Sequence, residues 1–118
     1  MFAMKKSSII LLIVLMCFAL GLRFYNLNWG APFYFHPDER NIASSVSQLR
    51  FPENLNPNFF AYGSLPIYTI YFTGVLVNAI DHQRLIEQVV EVSFSQAIVI
   101  SRFFSALFSI ALIPLLFF

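Results

Sequence analysis

Hydrophobic residues gather into three long stretches that are separated by polar segments. The stretches lie at about 7–25, 65–80 and 97–118, and the charges within them are limited to Arg23 and Arg102. Because a helix rises 1.5 Å per residue and the hydrocarbon core of a bilayer is about 30 Å thick, stretches of this length approach or complete a crossing. The pattern therefore predicts three membrane-spanning helices.

The segment between the first two stretches, about 26–64, is rich in asparagine, proline and aromatic residues. Within it, Ile42, Val46 and Leu49 recur at i, i+4 and i+7, which predicts a short amphipathic helix over Glu39–Arg50. A narrow apolar stripe of this kind suits the membrane surface or the side of a neighbouring span. The aromatic residues around it are typical of the headgroup layer.

The segment from Asp81 to Gln96 is polar enough to lie outside the bilayer. Val90, Val92 and Phe94 alternate with polar residues there, as in a strand, although the charges would also suit a helix. Helix and strand both stay open for this segment.

Composition places the chain in the membrane class. Hydrophobic residues make up 58% and charged residues 11%, against about 45–50% and about 25% in soluble domains. With 7 Lys and Arg against 6 Asp and Glu, the chain has no basic surplus for nucleic acid, and membrane lipids are the expected surroundings. The single cysteine, Cys17, excludes an intrachain disulfide and a cysteine-based zinc site.

Charges at the first stretch suggest how the chain is oriented. Lys5 and Lys6 precede it, which predicts a cytoplasmic amino terminus, an extracytoplasmic loop after the first span and a multi-pass protein of the cell membrane. A cleaved signal peptide is the alternative, but no Ala-x-Ala site lies near Cys17–Leu22, so an uncleaved anchor is favoured. Because the third stretch stops at Phe118 without a polar flank, we expect a fragment of a larger multi-span protein.

Two adjacent acids, Asp38 and Glu39, follow Pro37 at the start of the amphipathic helix. Carboxylates in a first helical turn are stabilised by unpaired N–H groups and the helix dipole, so helix capping is the simpler interpretation. The functional interpretation is that one carboxylate acts as general base on an acceptor hydroxyl or amine. His36 is interpreted as a loop residue, because a predicted bilayer crossing separates it from His82 and no shared ion is expected.

Four features follow one another along the chain: the lysine-flanked first span, Pro37-Asp38-Glu39 before a surface helix, the run YGSLPIY at 62–68, and the run SRFFSAL at 101–107. Their order resembles the amino-terminal part of polytopic GT-C glycosyltransferases. The resemblance is closest to glycosyltransferase family 39, which includes protein O-mannosyltransferases and aminoarabinose transferases. Nearly all of the 118 residues are covered.

The resemblance implies a polyprenyl-phosphate sugar donor, an acceptor on the extracytoplasmic side and inversion at the anomeric carbon. Asp38 matches the expected general base, and Glu39 matches its orienting partner. Some relatives have an acidic residue that contributes to a metal site just before the proline of the next span, whereas this chain has Ser64 and Leu65 before Pro66. We therefore assign no metal ligand, and a divalent metal in a full-length enzyme stays open.

Three further residues are candidates for substrate binding. Tyr62 and Tyr68 could line a sugar or lipid groove, although anchoring at the membrane interface is the simpler role. Arg102 could hold the acidic pair or a lipid phosphate, but snorkelling to the interface is cheaper, and a three-span topology puts it nearer the other side of the membrane.

The sequence thus predicts an all-α integral membrane chain with three spans and a surface helix in its first extracytoplasmic loop. We expect a single membrane domain over 1–118, and the resemblance implies that it is the amino-terminal piece of a GT-C-type glycosyltransferase. The isolated piece is expected to be inactive, and its acceptor is unknown. The alternative is a small three-span membrane scaffold or accessory subunit in which the acidic pair only caps a helix.

Overall fold

The computed structural model of the chain describes residues 6–81 and 84–117, and this part is all-helical, without strands. The all-α prediction is thus confirmed. The five helices, in chain order, are α1 (Lys6–Phe24), α2 (Pro37–Ser47), α3 (Ser64–Ile80), α4 (Ile86–Val89) and α5 (Phe94–Phe117).

Each of the three apolar stretches forms a helix, but the helices differ in length. α1 has 19 residues and α5 has 24, and both are long and apolar enough to cross a membrane. α3 has 17 residues and is shorter than these two candidate spans. The expected third span is therefore not confirmed.

The described residues divide into two compact units. One takes in the residues up to Leu27 and from Arg102 onward, and the other takes in Asn28–Ser101. We refer to them as the hairpin unit and the loop unit.

In the hairpin unit, α1 and the later part of α5 run antiparallel. The Arg23 Nε atom donates to the Ser109 hydroxyl at 2.7 Å, and an Arg102 guanidinium nitrogen donates to the Leu27 carbonyl at 2.8 Å. The rings of Phe24 and Phe103 meet edge to face with centroids 5.6 Å apart. Leu27 and Arg102, the residues at which the chain leaves and re-enters this unit, are therefore in contact.

In the loop unit, α2 packs against α3. The predicted stripe on α2 forms the contact side, since Val46 and Leu49 are fully buried and Ile42 is half-buried. The helix begins earlier than predicted, because Pro37 suits a first helical position, where no N–H is needed. It also ends earlier, because the backbone of Arg50 pairs in both directions with that of Asn54 at 2.7 Å.

The inner face of α3 carries buried residues at helical spacing, and two of them are polar. These residues are Ile67, Ile70, Tyr71, Gly74 and Asn78. The Tyr71 hydroxyl accepts from the Phe51 N–H at 2.8 Å and donates to the Val90 carbonyl at 2.9 Å. The Asn78 amide donates to the Glu91 carbonyl at 2.8 Å and accepts from the Gln96 amide at 2.8 Å. α3 therefore binds the loops on both sides of it through its own polar groups.

The segment left open between helix and strand contains the short helix α4 and the first residues of α5. Its strand-like alternation marks one buried side chain, since Val92 is 1% exposed and packs on Gly74. A Cβ atom at Gly74 would lie 2.7 Å from Val92 Cγ2 and 2.9 Å from Cγ1, so this close approach requires glycine.

Candidate functional site

Asp38 and Tyr62 form the centre of the candidate site. Asp38 is exposed in the first turn of α2, and Tyr62 lies just before Gly63, the N-cap residue of α3. The Tyr62 hydroxyl donates to Asp38 Oδ1 at 2.8 Å, a normal distance for a hydrogen bond to a carboxylate. The fold thus joins the start of α2 to the end of the following loop, 24 residues later.

The Asp38 carboxylate makes the Tyr62 phenol harder to ionise. The hydrogen bond to Asp38 raises the pKa of Tyr62 above its ordinary value of 10.0, with smaller contributions from partial desolvation and from the negative charge of Asp38. The sign follows because all three effects disfavour a phenolate. At neutral pH the Tyr62 hydroxyl is therefore a donor that occupies one carboxylate oxygen.

The start of α2 differs from an ordinary capped helix. Its N-cap residue is His36, which makes no side-chain capping hydrogen bond, and Pro37 occupies the first helical position. Asp38 and Glu39 lie in the first turn as predicted, where the positive end of the helix dipole favours carboxylates. Glu39 is half-buried beside the exposed Asp38.

Aromatic residues lie close to the pair in the sequence, and one of them, Phe59, contacts Tyr62. The ring of Phe59 meets that of Tyr62 edge to face, with centroids 5.4 Å apart. Phe35 and Phe60 are 70% and 82% exposed. The contact between Phe59 and Tyr62 gives the site an apolar surface beside its carboxylate and hydroxyl.

Tyr68 and Arg102, the other two substrate-binding candidates, have different surroundings. The Tyr68 hydroxyl donates to the Leu55 carbonyl at 2.8 Å, which ties α3 to the loop that carries Tyr62. Arg102 is only 8% exposed and belongs to the hairpin unit. Its hydrogen bond to the Leu27 carbonyl places it just beyond the carboxyl end of α1.

The described part of the chain contains no cluster of side chains that could bind a metal ion. Within residues 6–81 and 84–117, no group of three or more His, Cys, Asp or Glu side chains is placed to hold an ion. His36 is exposed at the N-cap of α2, and the prediction for His82 falls outside the described residues.

Sequence reasoning missed two features of the loop unit. It named Asp38 and Tyr62 separately, because nothing in their spacing shows that the loop returns to the start of α2. It also missed a polar cavity at the other end of α2, lined by Arg50, Arg84 and Glu91 among others. The available signal was the group of charges in 81–91, which by its composition predicts only a polar segment outside the bilayer.

Comparison with known proteins adds no relative to this picture. No protein-family model, no curated protein and no solved structure matches this chain. What the chain does is therefore inferred from its own residues.

Proposed function

We propose that this chain is the amino-terminal portion of a membrane glycosyltransferase that transfers a sugar from a polyprenyl-phosphate donor to an extracytoplasmic acceptor. Asp38 is the general base, and the observation that carries this proposal is its hydrogen bond from the Tyr62 hydroxyl. The bond supports the proposal because a protonated hydroxyl already lies 2.8 Å from an exposed carboxylate, within the reach that proton transfer from an acceptor requires.

In this mechanism the acceptor hydroxyl takes the place of the Tyr62 hydroxyl at Asp38 Oδ1. Asp38 accepts the acceptor proton while the acceptor oxygen forms a bond to the anomeric carbon. The bond between that carbon and the phosphate oxygen breaks, and polyprenyl phosphate leaves with the electron pair. One displacement of this kind inverts the anomeric configuration.

The remaining candidates take supporting roles. Glu39 orients Asp38 from the same helical turn, and Tyr62 presents its ring beside Phe59 to the sugar or the lipid. Tyr68 holds the loop through Leu55, and Arg102 lies at the loop end of α1, where a lipid phosphate would be within the interfacial layer. A divalent metal belongs to this proposal only if residues outside 1–118 complete its site.

The proposed topology has two crossings, α1 and α5, with a cytoplasmic amino terminus and the loop unit on the extracytoplasmic side. The Leu27–Arg102 contact supports it, because a crossing by α3 would need a second crossing before Arg102. The chain from Asp81 to Ser101 is charged in its first half, and its only complete helix in the described part is α4, with four residues. We therefore place α3 on the same side as Asp38 instead of across the membrane.

The experiment uses membranes from cells that express the full reading frame, with a labelled polyprenyl-phosphate sugar as donor. Transfer of label to an acceptor fraction should fall strongly in Asp38→Asn and less in Glu39→Gln. Transfer that is absent from the parent protein across a panel of donor sugars would contradict the proposal and favour the scaffold. Equal effects of the two variants would contradict the separate roles of base and orienting residue.

A further inference from the structure

A polar cavity of about 430 Å³ lies in the loop unit at the carboxyl end of α2. Its polar lining residues come from the end of α2, from α4 and its flanks, and from the link to α5; they are Ser47, Arg50, Arg84, Gln88, Glu91 and Ser93. Ser47 lies nine residues after Asp38 on the same helix, which separates the two by about 14 Å. The cavity is therefore distinct from the Asp38–Tyr62 site.

The cavity contains two guanidinium groups, and backbone carbonyls orient one of them. One terminal nitrogen of Arg50 donates to the carbonyls of Ser47 and Leu49 at 2.9 and 2.7 Å, and the other lies 3.3 Å from Glu91 Oε1. The Arg84 Nε atom lies 3.4 Å from Asp81 Oδ2. Ordering of the Arg50 side chain by the two carbonyls reduces the entropy that a ligand must overcome when it binds this group.

The ion pairs that hold these arginines are easily replaced. The Arg50 and Glu91 side chains are 35% and 58% exposed, and those of Arg84 and Asp81 are 40% and 50% exposed. Exposed pairs at such distances add little stability, because water and salt screen them. An anion with more charge and more acceptor oxygens than one carboxylate would compete well for both arginines.

We propose that this cavity binds a phosphate group, with Arg50 and Arg84 as the two ligating guanidinium forks. The planar forks match phosphate oxygens in geometry, and two cations face one carboxylate among the lining side chains. Phosphate displaces Glu91 from Arg50, and the Gln88 amide and the Ser93 hydroxyl add polar partners at the rim. This proposal does not depend on catalysis by Asp38.

The test is calorimetric titration of the purified full chain, in a neutral detergent at constant ionic strength, with inorganic phosphate. Arg50→Gln and Arg84→Gln should each weaken binding about tenfold or more, as expected for loss of charge-assisted hydrogen bonds. The matched control is Arg40→Gln, which removes an exposed arginine of α2 that does not line the cavity. Equal weakening by Arg40→Gln, or no saturable binding by the parent chain, would overturn the proposal.

Glu91→Gln is expected to change phosphate affinity in the opposite direction to the arginine variants. A general loss of structure would weaken binding and cannot produce this result. Removing the competing carboxylate should tighten phosphate binding several-fold. Glu53→Gln makes the same charge change at an exposed position outside the cavity, and it should change the phosphate affinity by no more than about twofold. Weaker binding in Glu91→Gln would contradict displacement of this side chain. Glu91 and Arg84 are half-exposed, so these variants keep the test decisive even if Arg50→Gln fails to fold.

A second arm distinguishes a lipid headgroup from a soluble phosphate as the source of the ligand. The titration is repeated in phosphatidylcholine nanodiscs with and without phosphatidylglycerol, using Arg40→Gln in parallel to account for the surface potential. A lipid headgroup is identified if phosphatidylglycerol competes with inorganic phosphate in the parent chain and in Arg40→Gln, but not in Arg84→Gln. Unchanged phosphate affinity in both discs identifies a soluble phosphate compound.

Discussion

Replacement of Gly74 by alanine tests how α3 holds the segment between α4 and α5. The added Cβ would lie 2.7 and 2.9 Å from the two methyl groups of Val92, about 0.6–0.8 Å inside the usual contact distance of about 3.5 Å. Val92 is 1% exposed, and a β-branched side chain has few alternative rotamers. The neighbour therefore cannot move away cheaply.

Two effects of opposite sign set the magnitude. Overpacking of a well-packed core costs about 1–3 kcal/mol, whereas alanine is favoured over glycine within a helix by about 1 kcal/mol. We expect the steric term to win by about 1 kcal/mol. In a domain of 60–100 residues this lowers the melting temperature by roughly 4–8 °C.

The assay is thermal unfolding in detergent, followed by circular dichroism, with two comparisons. Gly21→Ala in α1 is the matched control, because nothing lies within 4 Å of its Cβ position, and it should be neutral or stabilising. In a Val92→Ala background, which removes both clashing methyl groups, Gly74→Ala should also be neutral or stabilising. An equal loss of stability in the parent and in the Val92→Ala background would refute the proposed contact.

Two further predictions concern hydroxyl groups of the loop unit. Tyr71→Phe should destabilise the chain by about 1–3 kcal/mol, because the Phe51 N–H and the Val90 carbonyl lose their shared partner. Denaturant unfolding measures this loss. Tyr25→Phe, at an 83% exposed position, is the control and should leave the free energy of unfolding unchanged. Tyr62 should ionise at a higher pH than a free tyrosine. An absorbance titration measures this, and the difference between the parent chain and Tyr62→Phe assigns the signal to Tyr62. In Asp38→Asn the pKa of Tyr62 should return toward 10.0. An unchanged Tyr62 titration in Asp38→Asn would contradict the hydrogen bond.

The four longer helices, α1, α2, α3 and α5, could be predicted because periodicity and apolar runs encode them directly, whereas helix and strand both stayed open for the segment that contains α4. The stripe of Ile42, Val46 and Leu49 identified α2, and its two later residues are fully buried. The role of α3 could not be read from absence of charge alone. The overlooked signal is that Tyr71 and Asn78 lie seven residues apart in α3 and therefore share one face of the helix. Two polar groups on one face favour contact with polar loops over contact with lipid.

The candidate site could be predicted in its residues but not in its contacts. Asp38 and Tyr62 were both recognised, yet their hydrogen bond depends on the course of the intervening chain, which short-range patterns do not fix. The surroundings of Arg102 likewise depend on the antiparallel packing of α1 and α5. A long-range contact of this kind has no local sequence signature.

The most direct test of the central proposal is the single-turnover rate of Asp38→Asn in the full-length protein, normalised to folded protein. An amide cannot take the acceptor proton at neutral pH, so the rate should fall by about 10² to 10⁴, while thermal stability stays close to that of the parent. Asp81→Asn is the control, because it removes the other aspartate of the loop unit and should keep the rate within about threefold. A well-folded Asp38→Asn protein that turns over at the rate of Asp81→Asn would contradict the assignment of Asp38 as general base.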